Sequence, residues 1–422
     1  MVTVEDALAR VKGELTELVP EPLVRRLADA LPGEYRDRTL TPVAMAYLAL
    51  RKALHNTATS ALRHLCDLDF TPSAYCQARG RLPVGFFARL AAAATGRLRA
   101  TEADVPGDRW CGRRTWLIDG SSFSMPDTPD LQQAFGQPGN QTPGCGFPVA
   151  HLLAVFEAGT GYLVRTLAAP LRTHDLHHTA ATHTALEPGD VLVGDRAFGS
   201  YAHLALLRGR GLDGVFRLHQ RRKPGQRRDR RTTYEKPRVR PAWMDPEAFA
   251  ALPPRLEVRE VRVRVTTPGR RVREVILVTT LLDRERFSAA DLAQLYESRW
   301  QAEVYLRQLK QSLGLDVLRS QSETGILKEM LAFVAAYNLV RRVMREAARQ
   351  QGVPADRVSF VDALRWLRQA APGEAVPTLV VNPERPGRFE PRVRKRRPKK
   401  FPLMKRPRAE LKEDILRKQL AA

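Results

Sequence analysis

The chain's 422 residues leave room for two or three domains, and a 43% hydrophobic share marks a globular protein with a buried core, excluding a disordered basic tail. Its 69 Lys and Arg stand against 46 Asp and Glu, a formal net charge of +23, so the expected partner is a polyanion, above all nucleic acid. Cys66, Cys76, Cys111 and Cys145 form no C-x-x-C pair, no apolar run reaches the roughly 20 residues of a membrane span, and the first residues read as no signal peptide. A zinc ribbon, a redox motif and a membrane anchor are therefore not expected, and a cytoplasmic setting at a bacterial nucleoid is.

From Val4 to about Ala100 apolar residues recur at three-to-four spacing, as in Pro42 to Leu54 and Ser60 to Leu68, which predicts helices. Thr71 followed by Pro72 predicts an N-cap and first helical residue for a further short helix carrying Gln77, Arg79 and Arg81. The two short helices fit either a helix-turn-helix or an ordinary helical hairpin. From Arg114 the texture changes to short apolar runs: Thr115 to Ile118, Val149 to Phe156, Tyr162 to Leu167, Val191 to Val193 and Val215 to Leu218. Helical stretches at His174 to Leu186 and Tyr201 to Arg208 make the later strands crossover units of a mixed sheet, the order of a ribonuclease-H-like core.

Arg217 to Arg240 hold eleven basic residues against Asp229 and Glu235 and read as a basic loop. Leu256 to Val265 and Val272 to Thr280 alternate apolar with polar residues around Pro268-Gly269, predicting an inserted two-stranded ribbon. Helix is expected again to about Ala370, and Arg385 to Arg408, with twelve basic residues and five prolines, reads as an arm that orders on DNA.

Within a predicted helix from Asp291 to Leu313, Tyr296, Arg299, Glu303 and Lys310 project at about 0, 300, 340 and 320°, one narrow stripe. Beside it Leu295, Ala302, Leu306, Leu309 and Leu313 form the face that packs on a sheet, so the polar stripe borders the core. Alone, this pattern also fits ordinary surface ion pairs worth about 0.3 to 0.5 kcal/mol each. Two aspartates change its meaning: Asp119 closes W-L-I-D-G and Asp195 closes V-L-V-G-D, and an Asp at a strand's carboxyl end faces a crevice. Either Asp by itself reads more readily as a turn former.

Together, Asp119-Gly120-Ser121-Ser122-Phe123, Gly194-Asp195-Arg196-Ala197-Phe198 and Tyr296-x2-Arg299-Trp300-x2-Glu303-x6-Lys310 resemble the three motifs of DDE insertion-sequence transposases. The branch is the insertion element four family, known by its Tyr-Arg-Glu-Lys signature, and the resemblance covers roughly residues 20 to 345. Ala197 departs from it, where the family often has Gly. The resemblance implies that Asp119, Asp195 and Glu303 are catalytic and hold two Mg²⁺ ions, with Mn²⁺ able to substitute. It also implies that Tyr296, Arg299 and Lys310 bind phosphates, that excision passes through a DNA hairpin, and that a homodimer works on the element's terminal inverted repeats and target DNA. Trp300 or Trp243 could stack on an unpaired base, or simply pack.

The expected architecture is α/β: a ribonuclease-H-like mixed-sheet core with a β-rich insertion, plus helical N-terminal and C-terminal regions. Residues 1–105 form the helical DNA-binding region, 106–218 the first part of the core, 219–285 the basic loop and insertion, 286–350 the core completion with Glu303, and 351–422 a helix and basic tail. Other readings are a ribonuclease-H-like nuclease and a catalytically silent DNA binder. The histidines at 174, 177, 178 and 183 lack the cysteines of a zinc site, and the glycines of residues 136–146 lack a Gly-Lys-Ser/Thr ending, so neither zinc nor ATP is expected.

Overall fold

The computed structural model describes residues 19–32, 39–65, 68–101, 105–171, 173, 175–220, 222, 225–264, 274–370, 374–384 and 404–420. The predicted start at Val4, Cys66, His174, the ribbon turn at Pro268-Gly269 and most of the basic arm lie outside them. The α-helices in chain order are α1 (Glu21–Asp29), α2 (Pro42–His55), α3 (Thr59–Leu62), α4 (Pro72–Arg81), α5 (Val84–Thr101), α6 (Pro129–Ala134), α7 (Thr179–Thr182), α8 (Tyr201–Gly209), α9 (Pro246–Ala250), α10 (Ala289–Ser298), α11 (Trp300–Arg307), α12 (Glu323–Gln351), α13 (Phe360–Gln369) and α14 (Arg408–Leu420). Thr71 caps α4 as its sequence predicts, its Oγ1 accepting from the Ala74 amide at 3.1 Å, with Pro72 at the first helical position. Among the described residues no helix is long and apolar enough to cross a membrane.

Eight strands, β1 (Thr115–Ser124), β2 (Val149–Glu157), β3 (Leu163–Pro170), β4 (Val191–Gly194), β5 (Asp213–Arg217), β6 (Asp229–Glu235), β7 (Arg255–Arg264) and β8 (Glu274–Thr279), form one mixed sheet in the order β3-β2-β1-β4-β5-β8-β7-β6. The first five coincide with the apolar runs. β1, β4 and β5 are parallel neighbours, while β2 and β3 return antiparallel on one side. The predicted ribbon is not separate: β8 pairs with β5, so β6 to β8 extend the same sheet. About a third of the predicted basic loop is itself strand, chiefly β6. Its charges are cross-strand partners, since Arg230 lies opposite Glu260 and bonds it at 2.7 Å, and the buried Tyr234 hydroxyl donates to the same carboxylate.

Alternation along each strand sends side chains to two cores. Leu117, Phe123, Val191, Val193 and Val215 face a layer built from α2, α5, α10, α11, α12 and α13. Trp116, Ile118, Leu192 and Phe216 face a smaller layer around α8 and residues 243–256. The N-terminal helices share the first core, packing on the long α12. Arg79, on α4, accordingly turns inward and donates to Ser320 at 2.9 Å.

Under this layer lies a buried polar knot. Arg341 of α12, with 1% of its side chain exposed, donates to Asp356 at 2.9 Å and to the Thr160 carbonyl at 2.7 Å, and stacks over the Tyr305 ring of α11. Tyr305 donates to the same Asp356 at 2.9 Å. The knot thus ties the helix bearing Glu303 to α12.

Candidate active site

Odd-numbered residues of β1, β4 and β5 point to the helical layer, and Asp119, Asp195 and Arg217 share that parity. β1 and β4 pair as Thr115 with Val191, Trp116 with Leu192 and Leu117 with Val193. Continuing this register two steps sets Asp119 beside Asp195, on neighbouring strand paths about 4.8 Å apart. Asp119 does not close its strand as its sequence suggests; β1 runs on to Ser124, paired on the other side with β2. What ends at this level is β4, whose departure opens the crevice at the carboxyl ends of the parallel strands.

Each carboxylate is oriented locally. Asp195 caps the short 3-10 turn Arg196–Phe198, its Oδ1 accepting from the Ala197 amide at 2.7 Å, and Asp119 Oδ1 accepts from Gly120 at 3.0 Å. Gly194 has no room for a side chain: a Cβ there would lie 2.8 Å from both Ile118 and Phe198. The Glu303 helix is started by a capping box between Ser288 and Asp291, interrupted at Arg299, and followed not by α-helix but by a π-helical segment, Gln308–Leu313. The predicted single helix therefore rewinds before Lys310, a distortion frequent at functional sites.

These elements enclose a cleft of about 530 Å³ lined by Asp119, Asp195, Tyr296, Arg299, Glu303 and Lys310, the predicted constellation apart from Trp300. Trp300, on the same helix, is 41% exposed and outside the lining, and Trp243 is partly buried against the second core. Five further polar or basic side chains that sequence reading gave no role line it too: Ser121, Arg196, Arg217, Arg307 and Gln311. A signal for Arg217 exists, since it ends the third parallel strand as Asp195 follows the second.

Arg299 organises the charge. Its guanidinium donates to Glu303 at 3.0 Å and lies 6.0 Å from the Tyr296 ring centre. Burial opposes its charge, yet Tyr296, Glu303 and Asp119 together hold its pKa above the ordinary arginine value. Lys310 pairs with Asp316 at 3.2 Å. Burial pushes Asp119 up to about 6, with Glu303 and Asp195 adding to the rise against Arg299 and the Gly120 amide. As placed, no three His, Cys, Asp or Glu side chains among the described residues are grouped closely enough to hold a metal ion. The donor set nonetheless fits one: three hard carboxylate donors border one cleft, and burial makes the Asp119 anion costly unless a cation offsets it.

A stability consequence follows for the metal-free protein. Because folding raises the Asp119 pKa from 3.8 to about 6, its contribution is fully present below the lower value and is lost as pH rises through the upper. Ionisation then costs up to about 3 kcal/mol. Asp119→Asn should raise the melting temperature near pH 8 and leave it unchanged near pH 4. An equal effect at both would show that the strain is not electrostatic.

The histidine group separates. His183 turns into the second core, while His177 and His178 pack edge to face at 4.7 Å.

Comparison with known proteins gives concordant results. The transposase DDE domain family matches residues 110–339, a span holding all three carboxylates and the whole signature. The transposase InsG for insertion sequence element IS4 of Escherichia coli is 28% identical over 352 residues, covering 78% of each chain. A putative transposase InsZ of the same organism is 26% identical over 216 residues, covering 46% of this chain and 71% of its own. Among solved structures, a piggyBac transposase synaptic complex with hairpin DNA aligns over 86% of this chain at 11% identity and a TM-score of 0.44, too slight a likeness to bear on the fold or the site.

Proposed function

The chain belongs to the transposases that carry a DDE domain, and from that premise we propose that it moves an insertion sequence by cut and paste, with Asp119, Asp195 and Glu303 as its catalytic residues. The observation that carries this reading is that those three carboxylates, from one strand, the turn after another and one helix, line a single cleft with Arg196, Arg217, Arg299, Arg307 and Lys310. A ribonuclease-H-like core fits the strand order: an antiparallel β3-β2-β1 meander beside parallel β4 and β5, with β6 to β8 as the insertion that lengthens the sheet.

Asp119, Asp195 and Glu303 would hold two Mg²⁺ or Mn²⁺ ions. When bound, the ions supply Lewis-acid activation of a water or 3′-hydroxyl and neutralise charge on the leaving oxygen. The chain's own residues do the rest. Glu303, bonded to Arg299 in the free protein, would hold a cation with its carboxylate, and the Arg299 guanidinium can grip a phosphate with two parallel donors. Tyr296, beside Arg299 on the same helical stripe, and Arg217 at the end of β5 line the cleft around that phosphate, and Lys310 adds a mobile point charge from the π-helical segment. Trp300 is exposed at the rim and suits stacking on an unpaired base, as a hairpin route requires. Residues 1–105 bind the terminal inverted repeats, and two copies act on paired ends.

A strand-transfer assay on DNA carrying the flanking inverted repeats tests this. Cleavage followed by joining in Mg²⁺ is expected. Cleavage without joining would make the chain a nuclease, and binding with neither would make it a silent derivative.

A further inference from the structure

Behind β4, two histidines meet inside the second core. His203 of α8 has no exposed surface and His183 has 2%. Their Nε2 atoms are 2.9 Å apart, with ring centres separated by 5.0 Å and planes inclined by 22°, so the rings meet edge to edge rather than overlap. The other nitrogen of His203, Nδ1, lies 2.7 Å from the Phe198 carbonyl.

This geometry dictates the tautomers. A carbonyl only accepts, so His203 Nδ1 carries the proton and donates; a neutral ring then has a bare Nε2, which must accept from His183 Nε2–H. His183 is left with a bare Nδ1, and that atom is buried without a hydrogen-bond partner. Both rings stay neutral. Burial pushes His203 down to about 4, and burial together with His203 and Arg210 pushes His183 down to about 2. Phe198 and Phe216 wall in the His203 ring at 6.0 and 5.3 Å.

The carbonyl that receives this chain of donors belongs to the turn capped by Asp195. Phe198 closes the turn, its amide donating to the Asp195 carbonyl at 3.3 Å. Phe198 is also buried in the second core and Arg196 donates to Gln220 at 2.9 Å, so the histidine bond adds a buried polar tie to the turn's other contacts.

We propose that His203, itself oriented by His183, is a positioning residue for Asp195: its donation to the Phe198 carbonyl holds the turn so that the Asp195 carboxylate faces the cleft. The inference rests on reading Asp195 as a ligand of a divalent cation. Loss of a group that bonds a metal ligand directly commonly changes affinity by about 10- to 100-fold, and His203, which acts through the Phe198 carbonyl, should fall at the lower end.

The test is Mn²⁺ binding to the full chain, followed by electron paramagnetic resonance, with nitrogen-15 spectra of the histidines. The wild type should show His203 protonated at Nδ1 and His183 at Nε2. His203→Asn places an amide nitrogen near the lost Nδ1 and should keep affinity within about threefold. His203→Phe should lose roughly tenfold or more while circular dichroism stays native. If His203→Phe does not fold, His183→Leu takes its place; it frees the His203 ring to turn, and a loss of at least about threefold is expected. Reversed tautomers, or unchanged affinity in His203→Phe or His183→Leu while Asp195→Asn has lost it, would overturn the proposal. Unchanged affinity in Asp195→Asn itself would instead remove Asp195 from the site, and both readings with it.

Discussion

Replacing Asp119, Asp195 or Glu303 singly by alanine is expected to abolish strand cleavage while leaving binding to the element's ends largely intact. Phosphate binding draws on the many arginines and lysines, whereas the chemical step draws on stabilising charge at the reacting phosphorus, worth several kcal/mol and hence about a thousandfold or more in rate. The three positions differ in what is left behind. Asp119→Ala removes a carboxylate that folding already disfavours as an anion. Glu303→Ala leaves Arg299, 18% exposed at its side chain, without its ion-pair partner, so some loss of stability should accompany the loss of activity. Cleavage assays in Mg²⁺ beside end-binding titrations check this, and retained Mg²⁺-dependent cleavage in any variant would take that residue out of the site.

The largest expected effect on stability lies away from the cleft. Asp356→Ala strips the buried Arg341 of its counter-ion and removes the acceptor of the Tyr305 hydroxyl. Breaking a buried pair on one side costs about 3 to 5 kcal/mol, but the Asp356 side chain is 34% exposed and water can replace part of it, so about 3 kcal/mol is the better figure. The melting temperature should fall by roughly 3 to 4 °C. Replacing both partners with apolar residues should restore most of that, because the penalty comes from the stranded guanidinium rather than from loss of a favourable pair. A fall of less than about 1 °C for the single variant would show that Thr160 and solvent satisfy Arg341 unaided.

Much of this architecture is legible from the sequence where burial leaves a simple trace. Four of the five strands of residues 115–217 were visible because they are covered on both faces and carry unbroken apolar runs, while β3, at the sheet edge, showed itself through Tyr162 to Val164 and Leu167 despite Arg165. β6 was hidden because its stabilising partners are ions: Arg230 and Glu260 look like solvated charge until the strands are paired. The extent of β1 past Asp119 was hidden likewise, since Gly120, Ser121 and Ser122 give no apolar signal and are held by the β2 ladder alone. In the site, the acidic residues and the Tyr-Arg-Glu-Lys spacing pointed to one place, and the cleft contains them. The winding change at Gln308–Leu313 was invisible, because the Leu309 and Leu313 spacing suits an α-helix equally well. Arg196, Arg217 and Arg307 were lost in a chain where arginine is everywhere, and position relative to the strand ends was the available clue.

The in-step pairing of β1 with β4 has a consequence for how such a chain can vary over time. Between Val191 and Asp195 there is a strict even-odd count, and deleting or inserting one residue there would carry the carboxylate to the opposite surface of the sheet, among Leu192 and Phe216. The connections before and after have no such arithmetic to respect. Natural length changes in relatives should therefore gather in residues 136–148 and 219–228 and spare the four-residue strand, which acts as a ruler as much as a support.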